Sequence, residues 1–344
     1  MNYDPNFEKF YDDLIKNGTN EELRRDAIKS ERKGLLKSIL IVALLVLIIV
    51  VIFAVYPFLL LKLFPRLSPT SRFYEIALGI PICILTVVWL ELETKNKRRR
   101  KNPNPYSYKQ FVKASMADGI FTALGEKYII YQGEQLSSMV SIGYRDAAFK
   151  RGNRFVSGDT VCGPLSNSCK LLLSEVWTYD EDTDSNGNNS ITPVFYGNFI
   201  KVDFPKIIND CIRIKRNTTG LSRALRPKTD KDQYLKLDSE EFEKYFDVYC
   251  NNKVLGMSLF TPDIMEKILY INNNYKTHNY YQTQFEATIS NNSLYIAIPN
   301  RLDLFELDSK LRPKKDRVYQ YYNYLKIILQ IVYRWCVILD NFEE

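Results

Sequence analysis

Two carboxylates, Glu175 and Asp203, have the residue type that general acid–base chemistry needs. They lie in "CKLLLSEVWTY" and "ITPVFYGNFIKVDF", two segments whose aliphatic and aromatic residues predict strands that could be neighbours. A catalytic pair must place both carboxyl groups within reach of one reacting group. No fixed spacing supports that arrangement, so a solvated strand face or a turn contact is the favoured interpretation of both residues.

The polar insert between these segments partly matches a calcium-binding loop. Asp182, Asp184, Asn186 and Gly187 fit positions 1, 3, 5 and 6 of an EF-hand loop, but position 12 is Pro193 instead of glutamate. The flanking residues predict strands, whereas an EF-hand needs helices. We therefore expect a flexible polar hairpin loop, with a calcium site as the less favoured alternative.

Other signals for catalysis or metal binding are scarce. His278 is the only histidine, which is a poor basis for Cys-His or Ser-His-Asp catalysis. The sequence has no P-loop and no GxGxxG, HExxH or GxSxG motif. Cys162 and Cys169 form one C-x6-C pair without a nearby histidine, so a zinc site is not expected. We expect no cofactor, no metal site, and free thiols in a reducing compartment. The six cysteines are Cys83, Cys162, Cys169, Cys211, Cys250 and Cys336.

The net charge of +7 is concentrated in one short segment. Residues 102–344 carry 30 Lys and Arg against 29 Asp and Glu, and residues 1–37 carry 8 of each. The excess lies almost entirely in "KNKRRRK", residues 95–101. A protein that binds nucleic acid presents a spread basic face, so no nucleic-acid partner is expected. A disordered chain is excluded, because 46% of the residues are hydrophobic and 13% are aromatic.

Two apolar segments predict a transmembrane helical hairpin. Residues 38–61 contain no charge, and a membrane-spanning helix needs about 20 apolar residues. Residues 73–92 give a weaker signal, because Glu75 and Glu91 leave only 15 uncharged residues between them. A re-entrant or interfacial segment is the alternative for this second span. The chain is thus expected to be a two-pass integral protein of the cell membrane.

Positive charges beside the two spans predict their orientation. Basic residues precede the first span and follow the second, whereas the connecting residues 62–72 hold three. Both termini are therefore expected in the cytoplasm, with the lipid bilayer as one partner. Attraction to anionic headgroups is an alternative role for the basic residues after the second span. The predicted topology anchors are Lys95, Lys97, Arg98, Arg99, Arg100 and Lys101.

The remaining sequence predicts an α+β fold, in which a mixed strand and helix cytoplasmic domain follows the two-helix transmembrane hairpin. Residues 1–37 form an N-terminal helical segment, residues 38–92 the hairpin, and residues 93–107 a basic linker. The domain covers residues 108–344, with a possible internal boundary near 219–236. Apolar residues at helical spacing predict its first helix over residues 108–124, which Gly125 could end.

Later segments predict further helices and strands. "LDSEEFEKYF" predicts a helix whose capping box is Asp238 with Glu241. "KVLGMSLF" predicts a strand, and Thr261 followed by Pro262 predicts the start of the next helix. "FEATIS" and "SLYIAIP" predict a hairpin around Asn291–Asn292. The final segment, "RVYQYYNYLKIILQIVYRWCVIL", predicts a helix packed in the core, with an oligomer interface as the alternative.

The order of these segments resembles a bacterial membrane-associated family, the domain of unknown function numbered 3137. "SGDTVCG", "LLLSEVWT" and "FYGNFIKVDFPK" correspond to its central strands. "FEKYFDVY", "LFTPDIMEKIL" and "DLFE" correspond to its later part. The resemblance implies no reaction, cofactor or catalytic residue. The matching positions are Gly158, Asp159, Ser174, Glu175, Gly197, Asp203, Phe242, Tyr249, Thr261 and Pro262.

These observations predict a membrane-anchored, non-enzymatic interaction or regulatory module with a protein partner at the membrane. A tethered domain that binds a small ligand or a lipid is the first alternative, and an enzyme is the second. An interaction module should expose an apolar patch. A ligand-binding domain should have an enclosed, mostly apolar pocket. An enzyme should bring acids with perturbed pKa values, including Glu175 or Asp203, together in a cleft.

Overall fold

The computed structural model describes residues 3–17, 19, 21, 23–29, 36, 40, 43, 108–183, 189–217, 233–275, 285–300 and 302–342. The chain divides into two compact units, of which one comprises Met1–Thr19 with Phe111–Glu344 and the other comprises Asn20–Gln110. The predicted domain boundaries stay predictions. The account below concerns the first unit, with the helix that enters it from residue 108.

Besides the helical residues 21, 23–29, 36, 40 and 43, seven helices and seven strands have bounds in the described part of the chain. In chain order they are α1 (Pro5–Asn17), α2 (Tyr108–Ala123), β1 (Ile130–Gly133), α3 (Ser137–Asp146), β2 (Arg154–Pro164), β3 (Lys170–Thr183), β4 (Asn189–Arg216), β5 (Tyr234–Leu235), α4 (Glu240–Tyr245), β6 (Phe246–Tyr249), α5 (Lys253–Leu259), α6 (Pro262–Tyr275), β7 (Glu286–Pro299) and α7 (Lys315–Asn341).

The strands form one antiparallel sheet in the order β1-β2-β3-β4-β6-β5, and β7 also pairs with β4. The 28-residue β4 holds the sheet together, since its first half pairs with β3, its last residues pair with β6, and β7 follows most of its length. The predicted mixture of helices and strands is therefore found, as a mixed helix and antiparallel-sheet fold.

The predicted transmembrane hairpin requires correction. None of the helices in the described part of the chain is long and apolar enough to cross a membrane. The two spans, residues 38–61 and 73–92, lie outside the described residues except for Leu40 and Ala43. The two-pass membrane localisation is thus not supported. The prediction rested on apolar length alone, a property that helices buried in a protein core share with spanning helices.

Three local predictions also differ from the structure. "KVLGMSL" forms α5 instead of a strand, because the Asn252 side chain caps the helix by accepting a hydrogen bond from Leu255 N at 3.0 Å. Ser239, not Asp238, caps α4. The predicted hairpin around Asn291 is the continuous strand β7, in which the positive φ of Asn291 (55°) coincides with a register irregularity against β4.

The core lies on both faces of the sheet. On one face α3 packs Val140 and Tyr144 against Phe199 of β4 and its neighbours. The most buried helix is α7, with twelve buried side chains that include Trp335. This confirms the predicted core helix. The short helix α1 packs against α7, where the buried Phe7 ring meets the Tyr322 ring at 5.5 Å.

Candidate functional site

Six polar side chains meet beneath the sheet and form what we call the buried charged cluster. Its members are Lys113, Tyr131, Asp159, Glu175, Asp303 and Glu306. They come from α2, β1, β2 and β3, and from the segment between β7 and α7. The cluster therefore connects parts of the chain that are up to 193 residues apart in sequence.

An irregularity in β2 places Asp159 in the cluster. The β2–β3 register shifts between Ser157 and Thr160, which is the position of Gly158 and Asp159. Bulges of this kind redirect a side chain from the regular alternation. A Cβ atom on Gly158 would lie 3.1 Å from Glu175 Oε2, so glycine leaves room for that carboxyl group.

The adjoining strand pair is held by a buried hydroxyl contact. Ser174 Oγ lies 2.9 Å from Thr160 Oγ1 and donates to the Glu175 carbonyl at 3.0 Å. Both hydroxyl groups belong to fully buried residues. This contact fixes β3 against β2 directly beside the two cluster carboxylates, so the positions of Asp159 and Glu175 are set by the sheet itself.

Lys113 is the positive centre of the cluster. Its Nζ lies 2.6 Å from Asp159 Oδ2 and 2.8 Å from Glu306 Oε2, and the Lys113 and Asp159 side chains are only 10% and 11% exposed. The Tyr131 hydroxyl donates to the other oxygen of Asp159. Burial alone would lower the pKa of Lys113, but the two carboxylates outweigh it and raise the pKa above its ordinary value.

Glu175 is the most perturbed acid of the cluster. Burial first, and then the negative charges of Asp303 and Asp159, raise its pKa to about 9. The backbone N–H of Leu304 donates to Glu175 Oε1. Burial and the nearby Glu306 also raise the pKa of Asp303, which hydrogen bonds with Glu175. Glu175 thus holds a proton at neutral pH, which it can share with Asp303.

Three of these carboxyl groups lie close enough together to be ligands of one metal ion. One oxygen each of Asp159, Glu175 and Asp303 lies within 4.8 Å of the others, and an all-oxygen set is what Mg²⁺ or Ca²⁺ prefers. However, the Lys113 ammonium already pairs with Asp159 and with Glu306, so a cation would have to compete with it for Asp159. The residues therefore fit a cation poorly, and the arrangement is a network in which one lysine and a proton on Glu175 offset part of the carboxylate charge.

No cleft leads to this cluster among the best-formed cavities of the described residues. The larger one has a volume of about 60 Å³ and is lined by Cys169, Lys206, Cys336 and neighbours. The second has about 10 Å³ and adjoins Ile207. Sites for small molecules measure about 300–1,000 Å³. Neither cavity includes a member of the buried charged cluster.

The disfavoured pairing of Glu175 with Asp203 does not occur, but Glu175 lies in the buried charged cluster and not on a solvated strand face. Glu175 faces Asn198 across β3 and β4, whereas Asp203 faces Lys170. The two acids are therefore separated by about 16 Å along the sheet, at about 3.3 Å per residue. Asp203 instead lies 2.8 Å from Lys201 Nζ and accepts from Ser293 Oγ at 2.6 Å.

The other predicted positions have structural roles or lie outside the described residues. A Cβ on Gly197 would collide with the backbone of β7, so this glycine permits close strand pairing. Phe242 and Tyr249 are buried, and Thr261 and Pro262 begin α6 as predicted. The six basic anchor residues, His278 and residues 184–188 of the polar insert lie outside the described residues.

Lys113 and Tyr131 were missed by sequence reasoning. Lys113 precedes Met116 by three residues and Ala117 by four, so the three side chains share one face of α2. Met116 and Ala117 are fully buried. A lysine on a buried helical face is the one sequence signal that could have marked it. Tyr131 carries no such signal, because its role depends on the pairing of β1 with β2.

Comparison with known proteins gives one family. Residues 193–334 match the family model described as "Protein of unknown function (DUF3137)". The predicted resemblance is therefore confirmed over these residues, while Gly158, Asp159, Ser174 and Glu175 precede the match. That description does not show membrane association.

No curated protein matches the chain. One solved structure, that of the mycobacterial trehalose monomycolate transport factor A, TtfA, aligns with 64% of this chain and 95% of its own chain. The sequence identity is 11% and the TM-score is 0.30. A likeness at that level supports no conclusion about fold or function.

Proposed function

We propose, for a chain whose residues 193–334 belong to the DUF3137 family, a non-enzymatic role as a module that binds a protein partner. The observation that carries this proposal is an apolar surface near the C-terminal end of α7, which we call the docking patch. It consists of Ile207 on β4 and Val337 on α7, which are 67% and 48% exposed.

The two small cavities link the members of the docking patch. Val337 lines the 60 Å³ cavity and Ile207 lines the 10 Å³ cavity, and Lys206 lines both. Ile208 and Leu339 also line both cavities. Ile207 and Val337 therefore border one depression, which is formed by two cavities that share these lining residues.

The shape and polarity of the depression suit a protein chain better than a small ligand. Its volume is far below the roughly 300 Å³ of the smallest typical ligand sites, but an aliphatic side chain of a partner could enter it. Asn167, Lys206 and Asp340 provide polar groups around the larger cavity. An apolar centre with a polar rim is the usual anatomy of a protein interface.

Photo-crosslinking in living cells tests this proposal. Benzoyl-phenylalanine placed at Ile207 or at Val337 should crosslink the same protein. A probe at Ile191, which is exposed on the first part of β4, should not. Ile207→Asp should abolish the crosslink from Val337 and weaken binding of the purified partner at least about tenfold, or about 1.4 kcal/mol. Equal crosslinking from Ile191, or a crosslink that Ile207→Asp leaves intact, would exclude the docking patch.

A catalytic role of the buried charged cluster is the second candidate. It is favoured by the raised pKa of Glu175, since perturbed acids gather at active sites. The absence of a cluster residue from both cavities disfavours it. Glu175→Gln removes the proton that Glu175 could transfer but preserves its shape, so loss of cellular function without loss of stability would favour catalysis over docking.

A further inference from the structure

Two free cysteines from distant parts of the chain lie side by side near the surface. Cys169, just before β3, and Cys336, on α7, are separated by 167 residues, yet their Sγ atoms are 3.3 Å apart. Both side chains are buried. A disulfide has an S–S length of about 2.05 Å, so bond formation requires the sulfurs to approach by about 1.3 Å.

The turn between β2 and β3 holds Cys169 in place. Leu165 N donates to the Cys169 carbonyl at 2.8 Å, and Ser168 adopts a positive φ of 68°. Ser166 N donates to Glu126 Oε2 at 2.9 Å, which ties the turn to the end of α2. The turn is thus built into the fold at both sides of the cysteine.

A second contact fixes this turn to the helix that carries Cys336. Ser166 Oγ lies 3.0 Å from the Tyr333 hydroxyl. Tyr333 and Cys336 are three residues apart in α7, so they share one helical face. The contact between Ser166 and Tyr333 therefore holds the β2–β3 turn beside the face of α7 that carries Cys336. It thereby keeps the two thiols next to each other.

The 60 Å³ cavity gives a small reagent access to both sulfurs. Cys169 and Cys336 both line it, together with Asn167. Since one water occupies about 30 Å³ in the liquid, the cavity has room for a peroxide molecule. An oxidised tripeptide such as glutathione disulfide is several times larger and does not fit.

The surroundings assign different roles to the two thiols. The hydrogen-bond contact with Cys336 lowers the pKa of Cys169, and it outweighs burial and the charge of Asp340, which act in the opposite direction. Asn167 also lowers it. The hydrogen-bond contact with Cys169 and burial raise the pKa of Cys336. Cys169 is therefore the better nucleophile, because the thiolate is the reactive form.

We propose that Cys169 and Cys336 form a redox-active dithiol, which a small peroxide oxidises to a disulfide between the β2–β3 turn and α7. Cys169 Sγ attacks one peroxide oxygen, the O–O bond breaks, and an S–O bond forms, giving a sulfenic acid and one water. Cys336 Sγ then attacks the Cys169 sulfur, the S–O bond breaks, and a second water leaves. Two thiols lose two electrons in total, and hydrogen peroxide is reduced to two waters. The inference does not depend on the docking patch.

The test uses the purified, reduced full-length chain and a stoichiometric amount of hydrogen peroxide. Peptide mapping by mass spectrometry should find one intramolecular disulfide that joins Cys169 and Cys336. In Cys336→Ser the reaction should stop at the sulfenic acid of residue 169, which dimedone traps. Cys169→Ser should abolish both products. The matched control is Cys250→Ser, which changes another buried thiol, whose pKa burial raises to about 11, and should leave the disulfide intact.

The peptide map of the unmodified sequence decides the matter even if a serine variant fails to fold. Disulfides between molecules, or first oxidation at another cysteine with this pair still reduced, would overturn the proposal. So would oxidation of both cysteines to sulfinic acids without a disulfide. Glutathione disulfide at the same concentration should react more slowly than peroxide, and an equal rate would refute the assignment of the oxidant by size.

Discussion

Replacement of Glu175 by glutamine should stabilise the protein increasingly as the pH rises. The folded state keeps a proton on Glu175 up to a pKa of about 9, whereas the unfolded chain releases it near 4.5. Between these two pH values the folded state binds one proton more than the unfolded state. The free energy of unfolding of the wild type therefore falls as the pH rises through this interval. Glutamine has no proton to release, and its side chain can still donate to Asp303 and accept from Leu304 N.

The magnitude follows from the difference between the two pKa values. Each pH unit in this interval lowers the wild-type free energy of unfolding by about 1.4 kcal/mol. Neutral pH lies about 2.5 units above the ordinary value of 4.5, so the penalty at pH 7 is on the order of 3 kcal/mol. The difference between Glu175→Gln and wild type should therefore grow by about this amount from pH 4.5 to pH 7.

Urea unfolding at several values from about pH 5 to about pH 8 measures this difference directly. Glu181→Gln is the control, since Glu181 forms a surface ion pair with Arg154 at 2.6 Å and should change stability by at most about 1 kcal/mol. If the difference between Glu175→Gln and wild type is the same at every pH, Glu175 titrates normally in the folded state. A deficit of the variant that grows as the pH rises would show that the folded state requires the ionised carboxylate.

Three further substitutions test the packing, each by urea unfolding. Lys113→Met leaves two buried carboxylates without their cation and should cost about 3–5 kcal/mol. Lys315→Met removes one partly exposed ion pair and two cation–π contacts and should cost clearly less than Lys113→Met, and equal losses would contradict the central role of the cluster. Phe7→Ala should cost about 3–5 kcal/mol, whereas Phe111→Ala, at an exposed position, should stay within about 0.5 kcal/mol. Gly197→Ala should lower the free energy of unfolding by about 1–3 kcal/mol, because the alanine methyl group would meet the backbone of β7. Unchanged stability would show that the strands can separate there.

Elements with strong local signals were predicted well. The spacing of apolar residues and Gly125, whose φ is +95°, located α2 and its end. Thr261 and Pro262 located the start of α6. The seven-residue α5 was missed, because a short apolar run does not distinguish a strand from a helix. Its cap, Asn252, was the available signal.

The candidate site was only partly predictable, because it depends on long-range pairing. Glu175 was identified as a carboxylate of interest, but its partners were not. The pairing register of β3 and β4 cannot be deduced from the sequence of either strand alone. Lys113 and Glu306 meet across 193 residues, a distance at which no spacing rule operates. The same holds for Cys169 and Cys336.

The packing of α1 on α7 bears on the order in which the protein can be completed during synthesis. Asp4 pairs with Lys326 at 2.8 Å, and these residues are 322 positions apart. At about 5–20 residues per second, a ribosome needs roughly 15 seconds to a minute to make the intervening chain. During that time Phe7, whose ring meets Tyr322, has no α7 to pack against. The docking of α1 on α7 therefore has to wait until α7 has been synthesised, so this contact cannot form while the strands of the sheet are being made.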